Sequence, residues 1–310
     1  MIKRLISILL LILAVSGCSS KNGSSTAATG GYTFTDDLGR KITVDDPKRV
    51  AALIGSYADI WHLAGGTVCA SADDAWDDFE LDMPDDAIDL GATKSLSLEK
   101  LFEAEPDFIL ASCNTRVNME WKDILENSNI PTAYFDVSDF DDYLRVLKIC
   151  TEITGRDDLY SKNGLEVKSQ VEKAIDAAAK GKEQSVLLIR ATAASVYVKN
   201  SVGNVAGEML KNLGCVNIAD SDKTLIENIS LERIIQADPD RIFILQFGDD
   251  REGMEKYLSE QLFSQPGWAE LTAVKEGRVH FLEKRLYSLK PNARWGEAYQ
   301  KLQEVLSNEG

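Results

Sequence analysis

Apolar and polar positions alternate along this chain in a strand–helix order that occurs twice. Short apolar runs at 49–54, 67–70, 107–112 and 131–135 are bounded by turn residues, as buried strands are. Helical spacing lies between them at 57–63, 97–105 and 117–127. Ser56 reads as the cap of the first of these helices, and Gly65-Gly66 as its end. Alternating runs around Asp37-Leu38-Gly39-Arg40 predict an entry hairpin, and 71–93 reads as a long acidic loop holding Trp76 and Phe79. The second half repeats the order: strands at 185–191, 195–198, 241–245 and 278–282, with helices at 205–213, 231–237, 254–262 and 295–306. Such alternation predicts parallel sheets in an α/β fold.

One stretch repeats residue by residue. Leu96-Ser97-Leu98-Glu99 with Pro106-Asp107 returns as Ile229-Ser230-Leu231-Glu232 with Pro239-Asp240 at a constant offset. Each copy predicts a short capped helix, a Pro-Asp break and an apolar strand. Two copies so far apart predict two lobes of similar build, since a solenoid needs several copies at short period. A ligand is then expected between the lobes. The matched carboxylates Glu99 and Glu232 invite a partner of two-fold symmetry. Helical spacing runs almost unbroken through 139–180, with a kink expected at Gly155-Arg156-Asp157-Asp158, and reads as a strut joining the lobes.

The chain's ends set the compartment. Lys3 and Arg4 precede an apolar run too short to span a bilayer, and Val15-Ser16-Gly17-Cys18 resembles a bacterial lipobox. That resemblance implies a signal peptide over 1–17 and lipid on Cys18. Residues 18–31 are small and polar and read as a tether. The expected domains are therefore an N-terminal lobe at 32–138, the interdomain helix at 139–180 and a C-terminal lobe at 181–310.

The formal charge is −16, which argues against nucleic acid and against electrostatic binding to anionic lipid. A local basic cluster inside a cleft stays compatible with it. Cys69, Cys113, Cys150 and Cys215 show no metal-like spacing. Both a Cys69–Cys113 disulfide and buried free thiols fit them.

From residue 32 to the end the chain resembles the iron-complex and cobalamin class of substrate-binding proteins, the extracytoplasmic receptors of ABC importers. The resemblance rests on Asp37-Leu38-Gly39-Arg40 with Pro47-Lys48-Arg49-Val50, on the two Leu-Glu and Pro-Asp pairs, and on Trp268 followed by Ala273 to Val279. It implies two Rossmann-like lobes joined by a long rigid interdomain helix, with the ligand cleft between the lobes. It also implies that Glu99 and Glu232 dock onto a permease dimer, which works with its ATPase. The resemblance implies a monomer held to the membrane only through its lipid, with no intrinsic cofactor and no enzymatic activity. A metal would arrive inside the ligand, a ferric siderophore first, haem or cobalamin second. A surface adhesion protein and a carboxylate-based hydrolase are the alternatives from other classes.

Loops at the C-terminal ends of strands should line the cleft. The candidate ligand residues there are Tyr57, Trp76, Asn114, Arg116, Arg190, Arg285, Tyr287 and Trp295. Aromatics would cover a planar chelate, and arginines would hold carboxylate or catecholate charge. Tyr197 and Lys199 read as structural positions on their strand. Haem would need an axial ligand. His62 and His280 read as structural, which leaves Tyr57 and Tyr287 for that role.

Overall fold

The computed structural model describes residues 31–227 and 229–308. The signal segment, Cys18 and nearly all of the tether lie outside the described residues. The chain enters through a hairpin, β1 (Tyr32–Thr35) and β2 (Lys41–Val44), turned at Gly39 with φ 77°.

The first sheet contains β3 (Val50–Ala52), β4 (Val68–Ser71), β5 (Ile88–Asp89), β6 (Phe108–Ser112) and β7 (Thr132–Phe135). Its order is β5-β4-β3-β6-β7, and every pair is parallel. The second sheet contains β8 (Ser185–Thr192), β9 (Ser195–Lys199), β10 (Val216–Asn217), β11 (Arg241–Gln246) and β12 (Val279–Leu282). Its order is β10-β8-β11-β12 in parallel, with β9 antiparallel to β8.

The sequence repeat has a structural reason. Ser97 Oγ accepts from Lys100 N and caps the helix Leu98–Glu103, which leads into β6. Ser230 Oγ accepts from Arg233 N and caps the helix Leu231–Ala237, which leads into β11. The aspartate of each Pro-Asp then pins the neighbouring strand. Asp107 accepts from Lys48 N and Arg49 N at 2.7 and 2.9 Å, just before β3. Asp240 accepts from Ser185 N at 2.7 Å, where β8 begins. A charged acceptor strengthens each of these bonds.

The central strands of both sheets are buried on two faces, and alternate residues divide between cores. Ile109 and Ala111 of β6 face an outer core of the first sheet, and Leu187 and Ile189 of β8 face that of the second. Phe108, Leu110, Val186 and Leu188 point inward into one shared core with Val146, Leu147, Trp295 and Tyr299. One continuous apolar interior therefore joins both lobes.

Helices carry that interior across. Phe140–Thr154 is capped by Asp139, whose carboxylate accepts from Asp142 N at 2.9 Å. It ends at Gly155, in the left-handed conformation at φ 68°. The chain turns there and continues helically from Asp157 to Ala178, through a wider turn at Ser161–Leu165. The strut is thus two abutting helices, divided where the kink is expected. The helix Glu166–Ala178 lies against the last helix, Trp295–Ser307. Gly296 allows that approach, because a Cβ there would collide with Gln170.

Three local expectations change. The helix at 57–63 begins earlier, as Gly55–Leu63, and Ser56 does not cap it. Its Gly55 N–H donates to Asp74 Oδ1 at 2.7 Å, a cap supplied from beyond the next strand. The 71–93 stretch holds the short helix Asp74–Asp77 and the edge strand β5. All four cysteines at 69, 113, 150 and 215 are free thiols, which removes the disulfide alternative.

Candidate functional site

The C-terminal ends of β6, β8 and β11 converge on a cavity of about 550 Å³ between the lobes. Parallel strands end with their loops on one side of a sheet, and that side is the usual ligand face of α/β folds. The first lobe contributes Ser56, Asp74, Phe79, Lys94, Asn114 and Arg116, and the second contributes Arg190, Phe247, Ser288 and Lys290.

Cations dominate its polar lining. Arg190 lies at the end of β8 with its guanidinium 3.4 Å from the centroid of the Phe247 ring. Lys290 lies 5.4 Å from the centroid of Tyr57. Among the described residues, neither side chain has an ion-pair or hydrogen-bond partner. Burial lowers the pKa of both, with Asp136 and Asp74 partly opposing the shift at Lys290. Lys199 lines an adjoining cavity of about 190 Å³, and burial and the Arg190 charge lower its pKa too. Lys94 sits 5.2 Å from the other aromatic neighbour of the cleft, Phe247.

Asp74 is the carboxylate that lines the cavity with these cations. Burial pushes Asp74 up to about 6; its bond from Gly55 N–H opposes the shift, and Asp73 and Asp78 reinforce it. Asp74 is already engaged in capping a helix, so it neutralises the pocket only in part.

The predicted site residues divide. Asn114, Arg116 and Arg190 come together on the main cavity, and Tyr287 borders the smaller one. Asn114 is exposed and donates to Asp136 Oδ1 at 2.5 Å. Arg116 is exposed and paired with Glu120 on its own helix.

The other predicted residues belong to the interior. Trp295 is fully buried against Phe140 and Tyr299, because the helix it begins lies in the shared core. Tyr57 is 1% exposed, and its hydroxyl donates to Phe135 O at 2.7 Å. The Tyr287 hydroxyl donates to Ala298 O at 3.0 Å. Both candidate axial oxygens are therefore engaged with backbone carbonyls. Trp76 packs against the shared core and does not line the cavity. Arg285 pairs with Asp59 at 3.0 Å and covers the Phe79 ring at 4.0 Å. It supports the cavity from behind, donating to Lys290 O at 2.8 Å.

Lys290, Phe247 and Lys94, which also line the cavity, lie outside the residues expected to bind ligand. The first two stand in loops expected to line the cleft, with no motif to mark them. Tyr197 and Lys199, expected to be structural, face cavities of the cleft instead. The exposed Tyr197 ring is the outward position of an antiparallel edge strand. Glu99 and Glu232 are both exposed in the first turns of their matching helices, away from the cavity lining. Among the described residues no group of three or more His, Cys, Asp or Glu is placed to hold a metal, and no helix is long and apolar enough to cross a membrane.

Comparison with known proteins agrees with this geometry. The iron-uptake system-binding protein of Bacillus subtilis (strain 168) is 25% identical over 314 aligned positions, covering 95% of this chain and 93% of the relative. An ABC transporter substrate-binding protein from Listeria monocytogenes EGD-e superposes with a TM-score of 0.70 at 19% identity, covering 84% of this chain and 98% of the other. Staphylococcus aureus SirA, solved with staphyloferrin B, superposes with a TM-score of 0.67 at 22% identity, covering 89% and 97%. The family model described as periplasmic binding protein matches residues 50–286. With its two mainly parallel sheets, shared core and cleft at the strand ends, the chain belongs to the periplasmic binding protein family.

Proposed function

We propose that this protein is the extracytoplasmic receptor of an ABC importer and captures an anionic ferric chelate, a ferric siderophore, in the cleft. The observation that carries this reading is charge. In a chain of formal charge −16, Arg190 and Lys290 line the cavity without an ion-pair partner among the described residues. Half-buried cations without partners lose solvation that a bound anion restores. Arginine adds bidentate geometry for carboxylate or catecholate oxygen. The iron arrives within the chelate and is cargo.

The relatives' names support iron and siderophore cargo. Engagement of the Tyr57 and Tyr287 hydroxyls with carbonyls favours a siderophore over haem. The protein acts by binding and hand-over, with no chemical turnover. Glu99 and Glu232, exposed at matching positions of the two lobes, dock onto the permease dimer by charge complementarity. The lipobox-like segment ending at Cys18 supports a lipid anchor outside the membrane.

Titrating intrinsic fluorescence with ferric dicitrate, ferric enterobactin, haemin, cyanocobalamin and ferric ion tests this reading. Saturable quenching by ferric dicitrate or ferric enterobactin, with none from ferric ion alone, is expected. A response confined to haemin or cyanocobalamin, or to none of the panel, would overturn it.

A further inference from the structure

Two cavities of the cleft share one wall. Beyond the main cavity a second one, of about 540 Å³, opens between Thr192–Ser195 and Gly248–Asp250. Lys94, Arg190 and Phe247 line both, so these three side chains stand between them. Each cavity alone is of ligand-binding size.

The wall is fixed at its base and loosely held at its tip. Phe247 N–H donates to Ala191 O at 2.9 Å, and Ser288 Oγ donates to the carbonyl of Gln246 at 2.7 Å. The Phe247 backbone is therefore anchored where β11 ends. Its half-buried ring belongs to none of the three apolar cores. Two cations hold it, Arg190 at 3.4 Å and Lys94 at 5.2 Å from the ring centroid. Gly248 follows at φ 87°, with nothing within 4 Å of where its Cβ would stand.

Cation–π contacts at partly exposed sites are weak, whereas a guanidinium pairs strongly with an anionic oxygen. An anion seated deep enough to pull the Arg190 guanidinium off its stack therefore removes the ring's nearer support. The space behind the ring suits an uncharged part of such a ligand, because Asp249, paired with Lys284, and Asp250, which caps the helix Arg251–Leu258, also line it. Ala193, Ala194 and Ser195 leave it open, and Tyr197, 55% exposed, offers an aromatic face with no ring partner among the described residues.

We propose that Phe247 is a movable partition that sets the size of chelate accepted. An extended anionic chelate draws Arg190 away from the ring, displaces it, and seats its second half against Tyr197. This inference rests on the anionic-chelate reading of the cleft.

The test compares ferric dicitrate, compact, with ferric enterobactin, extended, on the purified chain and on Phe247→Trp and Phe247→Ala. A bulkier ring should weaken the extended chelate by about tenfold or more and the compact one by less than about threefold, as overpacking of a closed space does. Phe247→Ala should hold the extended chelate at least as tightly as the wild type. Equal losses for both chelates, or a wild type that takes the compact chelate and excludes the extended one, would overturn the partition. If the wild type binds neither, the anionic-chelate reading fails, and fluorine NMR then decides the partition separately. The para-fluorophenylalanine signal of residue 247, identified by its loss in Phe247→Leu, should shift in Arg190→Gln. An unchanged signal would overturn the partition, and a shift would support it.

Discussion

The carboxylate of Asp59 and the guanidinium of Arg285, far apart in sequence, meet at 3.0 Å. Asp59 belongs to the first-lobe helix Gly55–Leu63, and Arg285 to the segment that follows β12. Asn292 completes the lock, donating to Asp59 Oδ2 at 2.8 Å and to Ser56 O at 2.9 Å. Burial raises the pKa of Asp59, and Asn292 and Arg285 oppose that rise. The pair ties the lobes together directly behind Phe79 and Lys290. Asp59→Ala would leave a half-buried guanidinium and a buried amide without their partner, at a cost of about 3 kcal/mol. Urea denaturation measures this, and a loss below about 0.5 kcal/mol, the level of an ordinary surface change, would contradict it.

Asp74 gives stability a readable pH dependence. Its folded pKa, about 6, stands above the ordinary 3.8. The folded protein therefore binds this proton more tightly than the unfolded chain. The stabilisation is complete below about pH 4 and is lost as pH rises through about 6. Asp74→Asn keeps an oxygen acceptor for Gly55 N–H and has no proton to lose. It should exceed the wild type by about 1–2 kcal/mol near pH 7.5 and match it near pH 4. An equal difference at both pH values would show that Asp74 titrates normally.

The thiols should react in order of exposure. Burial pushes Cys150 and Cys215 to about 12 and Cys113 to about 11. Cys69 and Cys113 are half-buried, whereas Cys150 and Cys215 are buried. A thiol reagent should label Cys69 first and Cys113 more slowly in the native state, and reach the other two only on unfolding. Reductant should leave the melting temperature unchanged. A reductant-dependent drop would reveal a disulfide.

Glu99→Ala combined with Glu232→Ala should abolish uptake in cells and leave chelate affinity within about twofold of the wild type, since rim charges set register and encounter. Affinity falling together with uptake would place these carboxylates in the cleft instead.

The fold was legible because its determinants are local. Strand alternation, the Ser97 and Ser230 caps and the Gly155 break each act within a few residues. The site was less legible because its determinants are contacts between distant segments. Tyr57 and Trp295 each stand at a helix start, and the pattern there does not say whether that start faces a cleft or a core. The Gly55 cap comes from Asp74, beyond a helix and a strand, and the role of Arg285 comes from Asp59, in the other lobe. Lys290 and Lys94 look like any surface lysine in sequence. Only the folded chain brings Lys290 beside Tyr57 and Lys94 beside Phe247.

The most direct test is the affinity for an anionic ferric chelate after charge reversal in the cleft. Arg190→Glu with Lys290→Glu should weaken binding of the chelate that quenches the wild type by about a hundredfold or more, as loss of two charge-assisted contacts implies. The melting temperature should hold, because neither side chain has an ion-pair partner among the described residues. Unchanged affinity in the folded double variant would contradict the account, because the anion would then be held elsewhere.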